Sequence, residues 1–316
     1  MKCVVTGGAG FIGSNLVDKL IDEGHEVIII DNLSTGKEEN INPKAKFVKG
    51  DISHSPFICL DDQSMDKYKM LEGADVVFHT AALARVQPSI DDPIKFHEVN
   101  VNGTLNLLKA CVDYGVKRFV YSASSSAYGD TDNLPQKETH PTDPISPYAV
   151  QKLIGEIYCR MFAEVYDIET VSLRYFNVYG ERQSLEGAYC LVMGIFAQQM
   201  LEGKPMTING DGEQRRDFTY VGDVVRANIL AGTLPTVGNG EVINIGNGNN
   251  RSVNEVATLL GGSRTHRAAV QEPFATLADN TKAKELLGWK PTENFEEWVT
   301  KLKKDLGLWN TKIKMG

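Results

Sequence analysis

The sequence predicts an α/β fold: a doubly wound parallel sheet followed by a smaller C-terminal α/β part. Three observations carry that expectation. Short β-branched runs alternate with helical patterns over the first 175 residues, those runs are apolar enough to be buried, and the alternation loosens after Asn177.

Taken in order, KCVVT (2–6), HEVIII (25–30), KFVKG (46–50), ADVVFH (74–79), KRFVYS (117–122) and ETVSLRYF (169–176) read as buried strands. Between them, FIGSNLVDKLIDEG, a segment around MDKYKMLEG, FHEVNVNGTLNLLKACVDYG and PYAVQKLIGEIYCRMFAEVYD have helical apolar spacing. Strands alternating with helices of this length pair in parallel and are covered on both faces. Right-handed crossovers then wind the sheet in two directions. After Asn177, glycine, asparagine and proline punctuate the chain, as in GDGEQRRD and IGNGNNRS. Shorter helices are expected around 191–203, 222–232, 252–260 and 294–306. EVINIG (241–246) is expected to return a strand to the main sheet. The division that follows is a sheet domain over 1–175, recruiting about 217–247, and a ligand-covering part over 176–316.

A chain of 316 residues can bury a sizeable core. Its formal net charge of −8 argues against general nucleic-acid binding, which needs a basic surface. A few arginines can still serve one anionic small molecule. Cys3, Cys59, Cys111, Cys159 and Cys190 show no Cys-x-x-Cys spacing, so buried free thiols are expected rather than disulfides or a zinc site. His25, His54, His79, His97, His140 and His266 lack metal-ligand spacing, and no metal is expected. His79 ends a strand and reads as a packed, hydrogen-bonded residue. Met1 runs directly into a strand without a charged-then-apolar leader. No apolar run approaches the roughly 18 residues that span a membrane. The expectation is a cytoplasmic protein with no membrane partner.

GGAGFIGS (7–14) follows the first strand and opens the first helix, with Gly7, Gly10 and Gly13 in G-x-x-G-x-x-G. A side chain at such positions would block the tight turn, the approach of backbone to a pyrophosphate, or helix–strand packing. The helix N-terminus offers its N–H groups and positive dipole end to phosphate. Asp31 ends the second strand, where an acid holds ribose hydroxyls and repels a 2′-phosphate. That order of parts is a Rossmann-type dinucleotide site, with NAD favoured over NADP. Asp51, followed by Ile52, either reaches the adenine from the third strand or stands as a simple loop aspartate.

Tyr148 and Lys152 in SPYAVQK (146–152) lie four residues apart, on one face of a helix. A free phenol needs about 4 kcal/mol of help to act as a base near neutrality, at about 1.36 kcal/mol per pKa unit. A neighbouring ammonium and a positive nicotinamide ring are able to supply it. The spacing alone is common. Joined to the dinucleotide motif and a serine cluster after an intervening strand, it points to hydride and proton transfer at a hydroxyl-bearing carbon.

GGAGFIGS (7–14), YSASSSAYGD (121–130), SPYAVQK (146–152), LRYFNVYG (173–180), GDGEQRRDFTYVGDV (210–224) and DNTKAKELLGWKP (279–291) together resemble the extended short-chain dehydrogenase/reductase superfamily. Within it, the resemblance is to nucleotide-sugar 4-epimerases of the UDP-glucose/UDP-galactose and UDP-N-acetylglucosamine type, from residue 2 to about residue 295. It implies a Ser124 that hydrogen-bonds the reacting sugar oxygen, a Tyr148 that exchanges its proton, and a Lys152 that holds the nicotinamide ribose. For Ser124 the alternative is a strand-end hydrogen bond, with Ser125 or Ser126 in its place. Phe11, Ile12, Asn32, Ala81, Ala82, Asn100 and Ser122 match NAD-contact positions. Asn177 and Arg216 match positions that bind the nucleotide diphosphate, Arg215 being the other candidate in QRRD.

Two positions depart from that pattern. The second diphosphate arginine aligns with Ala269, with Arg267 nearby as a possible substitute. A residue lining the sugar pocket aligns with Thr276, which leaves room for an N-acetyl group where a large aromatic would not. Acetylated and non-acetylated UDP-hexoses are therefore both expected as substrates, UDP-N-acetylglucosamine and UDP-N-acetylgalactosamine being the preferred pair. The resemblance also implies a homodimer through helical segments 93–114 and 147–167. A dehydratase would need an acid and base after Ser124, where Ser125 and Ser126 stand. A UDP-glucuronate 4-epimerase or a decarboxylase would call for an added cation, for which Arg85 is a candidate; its plainer reading is a loop charge. A catalytically silent NAD sensor would have lost Tyr148 or Lys152.

Overall fold

Seven strands form one sheet: β1 (Lys2–Thr6), β2 (Glu26–Asp31), β3 (Lys46–Asp51), β4 (Val76–His79), β5 (Arg118–Ser124), β6 (Glu169–Tyr175) and β7 (Asn239–Ile245). They lie in the order β7-β6-β5-β4-β1-β2-β3, every neighbouring pair parallel. The backbone of Ile58–Cys59 adds an antiparallel edge beside β3. This computed structural model describes residues 1–54, 69–184, 192–270 and 272–308, together with that short edge.

The helices of seven residues or more among the described residues are α1 (Phe11–Asp22), α2 (Gly103–Asp113), α3 (Pro147–Val165), α4 (Val192–Leu201), α5 (Val221–Thr233), α6 (Val253–Leu260), α7 (Thr281–Leu287) and α8 (Phe295–Asp305). Strand side chains alternate between faces, so β1 sends Cys3 and Val5 to one core and Val4 to the other. The first core packs Leu16 and Leu20 of α1 with Val224 and Ala227 of α5. The second packs Leu107 and Leu108 of α2 with Cys159 and Phe162 of α3. A third cluster joins Phe196, Phe218, Val256, Phe295 and Trp298 among the C-terminal elements.

The helix expected over 96–115 is interrupted. Pro93–His97 is helical, Glu98–Asn102 is a wider π-helical turn, and α2 begins only at Gly103. The wide turn accompanies an inward-pointing Asn100, as such turns do when a side chain is needed inside. At Gly103 a Cβ would stand 2.9 Å from Ile52 Cγ1, so only glycine lets the helix pack here. Of the segment around MDKYKMLEG, the described end, Lys69–Leu71, is a 3₁₀ turn, and 65–68 lie outside the described residues. Cys3, Cys111 and Cys159 are buried free thiols; Cys59 and Cys190 have side chains outside the described residues. Among the described residues, no helix is long and apolar enough to cross a membrane.

From β1 the chain winds outward through β2 and β3, then crosses to β4 and continues the other way. At this reversal the connections leave in opposite directions, and a crevice opens at the carboxyl ends of β1 and β4.

Candidate active site

A cleft of about 390 Å³ lies at that crevice, and the glycine turn forms its floor with Phe11 and Ile12. Gly7 has φ +72°, and a Cβ there would stand 2.7 Å from Ala81 Cα. A Cβ on Gly13 would stand 2.2 Å from the Gly7 carbonyl oxygen and 2.7 Å from Thr80 Oγ1. Both glycines are therefore obligatory for a turn this tight. Gly10 caps α1 without a side-chain hydrogen bond, which leaves the helix start to an incoming acceptor. A backbone cradle of this kind fits a dinucleotide pyrophosphate.

Asp31, Asn32, Asp51 and Ile52 form one end of the cleft, and Ala81 and Ala82 one wall. Asp31 is buried and accepts the N–H groups of Ala9 (3.0 Å) and Leu33 (2.8 Å), so it braces the glycine turn. Asn32 donates to Asp51 at 3.0 Å. Asn100 is not on the cleft surface. Its Oδ1 accepts from Leu83 N at 2.9 Å, and its Nδ2 donates to Leu83 O at 2.9 Å and to Gln151 Oε1 at 3.1 Å. The side chain thus holds the segment after β4 in place. Gly36 escaped the sequence reading, although a Cβ there would stand 2.9 Å from Asp31 Oδ1. The Ser-Thr-Gly turn after β2 was its only signal.

Helix α3 begins with Pro147, and the Ser146 hydroxyl accepts the Ala149 N–H at 3.2 Å. Ser-Pro is a favourable helix start, because proline presets the first turn and serine satisfies an orphan donor. Tyr148 stands in that first turn with its N–H donated to Ser89 Oγ at 3.1 Å. The helix can approach β5 because Gly155 faces Tyr121, where a Cβ would lie 2.2 Å from the phenol oxygen. Lys152 is buried, donates from Nζ to the Ser122 carbonyl at 2.8 Å and sits 5.0 Å above the Tyr121 ring. Burial pushes its pKa down to about 8, against the pull of Glu156 one turn on.

Desolvation by the surrounding protein raises the Tyr148 phenol above its ordinary value, while a hydrogen bond with Ser124 and the Arg85 charge lower it. The Lys152 ammonium, the group expected to lower it, donates to the Ser122 carbonyl. Ser124 is the serine that reaches Tyr148. Its Oγ also accepts from Ser126 N at 3.2 Å and Ser126 Oγ at 2.8 Å, and Ser125 is buried. Ser122 contributes its carbonyl, since its hydroxyl pairs with Tyr175 at 3.1 Å. His79 is buried between Thr6 (2.7 Å) and Thr104 (2.9 Å), and burial together with the Lys152 charge lowers its pKa to about 3, leaving it neutral.

A second cavity, of about 250 Å³, is lined by Asn177, Phe218, Arg216, Arg267, Glu272 and Arg85, among others. Strand alternation separates the two arginines of QRRD. Arg215 pairs with Asn250 and Glu255, whereas Arg216 faces the cavity and donates to Glu272 at 2.7 Å and to the Arg215 carbonyl at 2.8 Å. Glu272 was not foreseen, because nothing local marks a carboxylate 56 residues after its partner. Arg267 lies on the cavity and Ala269 is exposed. Thr276 is buried beneath Asn177 and is not among the lining residues: its Oγ1 accepts from Asn177 Nδ2 at 3.4 Å and from Asp217 N at 3.2 Å. The assembled chemistry is a phenol with a hydroxyl and an ammonium nearby, a cradle for a dinucleotide, and a cationic pocket.

Comparison with known proteins agrees with that inventory. The model of the NAD dependent epimerase/dehydratase family matches residues 3–246. A putative UDP-glucose 4-epimerase of Methanocaldococcus jannaschii is 40% identical over 307 residues, covering 95% of this chain and 96% of that one. The UDP-glucose 4-epimerase of Thermotoga maritima, solved with UDP-glucose, superposes with a TM-score of 0.87 at 40% identity, over 97% of this chain and 100% of that one. A UDP-N-acetylglucosamine 4-epimerase from Methanobrevibacter ruminantium M1, in complex with UDP-N-acetylmuramic acid, gives a TM-score of 0.87 at 36% identity, over 96% and 97%. The chain belongs to the NAD dependent epimerase/dehydratase family, among the nucleotide-sugar epimerases of short-chain-dehydrogenase type.

Proposed function

We propose that this protein inverts carbon 4 of UDP-hexoses, interconverting UDP-N-acetylglucosamine with UDP-N-acetylgalactosamine and UDP-glucose with UDP-galactose, the acetylated pair being preferred. One observation carries the reading: Tyr148 is bonded to Ser124 and feels the charge of Arg85, a residue of the arginine-lined cavity, in a chain that also forms the glycine cradle. NAD, held in the cradle by Gly7, Gly10 and Gly13, would supply reversible hydride transfer at carbon 4. Ser124 orients the 4-hydroxyl, and Tyr148 takes its proton and, once the 4-keto sugar has turned its other face inward, gives it back to oxygen 4. Lys152 holds the cofactor ribose and keeps positive charge near the phenol. Asn177 and Arg216 anchor the diphosphate, with Arg267 in place of the arginine missing at Ala269. Anchoring the nucleotide away from carbon 4 lets the sugar turn while its handle stays bound.

In this scheme Gly7, Gly10, Phe11, Ile12, Gly13, Asp31, Asn32, Asp51, Ile52, Ala81 and Ala82 contact the dinucleotide, Asn100 supports it from behind, and Thr276 orients Asn177. Residues 1–175 hold the cofactor and 176–316 the nucleotide. The similarity to a UDP-N-acetylglucosamine 4-epimerase from M. ruminantium M1 supports the acetylated pair. The purified protein is expected to convert UDP-N-acetylglucosamine to a mixture of the two 4-epimers without net reduction of added NAD, and to release NAD on denaturation. Absence of 4-inversion with every UDP-hexose would overturn the proposal.

The proposed assembly is a homodimer. Val150 and Ile157 of α3, seven residues apart on one helix face, are 41% and 50% exposed; Ile90 and Ile94 on the adjoining helical turns are 51% and 72% exposed. A second copy would cover this apolar patch. Sedimentation is expected to give a dimer that Ile94→Asp with Ile157→Asp converts to monomer. A wild-type monomer at micromolar concentration would exclude it.

A further inference from the structure

One stretch of the dinucleotide cleft comes from far along the chain. Its described lining residues otherwise lie between Gly7 and Val99, yet Arg182, Gln183 and Ser184 also border it. They follow Asn177 and the short strand Val178–Tyr179. The C-terminal part thus lays a strap, Gly180–Gln183, along the cofactor cleft.

The strap is fastened on two sides. Towards α1, Arg182 Nη2 donates to Asp18 Oδ2 at 2.7 Å. Asn15 of the same helix donates from Nδ2 to the Glu181 carbonyl at 3.0 Å and to the Phe11 carbonyl at 2.8 Å. Towards α8, the Glu181 carboxylate accepts from Lys301 Nζ at 2.9 Å and from the Tyr220 hydroxyl at 2.8 Å. Helix α1 is also the helix whose start carries the glycine cradle. Parting the strap from α1 therefore opens the cleft beside the place where a pyrophosphate would sit.

The strap does not keep this shape by local preference. Arg182 has φ +66°, a conformation that a long L side chain adopts only at a cost. Gly180 has φ +146°, and a Cβ there would stand 2.4 Å from Val221 Cγ1. Such a backbone persists because its surroundings hold it. The Asp18 and Arg182 side chains are 34% and 33% exposed, so water can replace either partner and the bond can open and reclose. Asp18 is not among the described residues lining the cleft, and its other oxygen accepts from Asn42 Nδ2 at 2.7 Å.

We propose that the Asp18–Arg182 pair is a latch on this strap, and that NAD enters and leaves its cleft only when the latch opens. A cofactor regenerated in every turnover gains nothing by leaving, so a device that slows its exchange costs the reaction nothing. Opening precedes both uptake and release. Weakening the latch therefore speeds both, and changes the affinity less than either rate. The inference concerns the cofactor and is separate from the choice of sugar.

The test follows radiolabelled NAD on the whole chain: its uptake by cofactor-free enzyme, and its release into excess unlabelled NAD. Asp18→Asn is expected to speed both by about three- to fivefold, the scale of a partly exposed ion pair. Arg182→Asp, which sets two carboxylates against each other, is expected to speed both further. Asp18→Arg combined with Arg182→Asp re-forms the pair with its charges exchanged, and is expected to bring both rates back towards wild type. Unchanged rates in Asp18→Asn overturn the latch. Faster release with unchanged uptake in Arg182→Asp, not relieved by the exchanged pair, makes Arg182 a direct contact of the cofactor and also overturns it. A wild type that takes up no NAD overturns the cofactor assignment together with the latch. Retained melting temperature shows that a variant folds; if the exchanged pair misfolds, the uptake and release rates of Asp18→Asn decide.

Discussion

Replacing Tyr148 with phenylalanine is expected to lower kcat by about 10³- to 10⁴-fold while the protein keeps its bound NAD, since a positioned acid–base group is worth about that much. The substitution removes one oxygen and leaves the helix start intact, because the residue's structural bond, to Ser89, is made by its backbone N–H. Ser124 and Lys152 would remain, but neither has a proton store suited to the task. Ser124 is a bound hydroxyl, and Lys152 is tied to Ser122. Single-turnover measurement of 4-epimer formation checks this. A kcat within about tenfold of wild type would remove Tyr148 from the proton path.

Arg174→Met is expected to destabilise the fold by about 3–5 kcal/mol, the cost of leaving a buried carboxylate without its partner. Arg174 donates from Nε to Glu156 Oε1 at 2.9 Å and from Nη2 to Oε2 at 2.7 Å, and the two side chains are only 5% and 3% exposed. Its guanidinium also lies 4.6 Å over the Tyr128 ring. Burial raises the Glu156 pKa above its ordinary value of 4.5, and Arg174 opposes that rise. Without the arginine it rises further. The folded state then binds a proton more tightly than the unfolded chain, so the variant loses stability as pH climbs through the folded pKa and regains it on acidification. Denaturant titrations at several pH values measure this. A deficit under about 1 kcal/mol, or one that grows towards low pH, would refute it. Glu156→Gln combined with Arg174→Met should recover much of the loss, because no buried charge is left. The pair matters to the site because Glu156 is one turn below Lys152 and pulls its pKa upward.

The segments that sequence reads well here are those whose information is periodic or adjacent. The strands of the sheet follow from runs of β-branched residues, and the cradle from glycines spaced three apart. Ser124, Tyr148 and Lys152 could be proposed because a helix turn and a strand end set their spacing. The π-helical turn at Glu98–Asn102 was hidden, because it depends on Asn100 bonding to Leu83, 17 residues away. Glu272, paired with Arg216 from another segment, was hidden for the same reason.

Short-range spacing was therefore sufficient for the α/β class, the dinucleotide cradle and the candidate phenol, since each is written in residues a turn or a strand apart. Folding in three dimensions decided matters of orientation: which arginine of QRRD faces the cavity, that the Lys152 ammonium donates to the Ser122 carbonyl, and that Thr276 supports Asn177 from behind. The physical reason is that burial, hydrogen-bond partners and charge proximity belong to pairs of residues brought together through space, and no window along the chain contains both members.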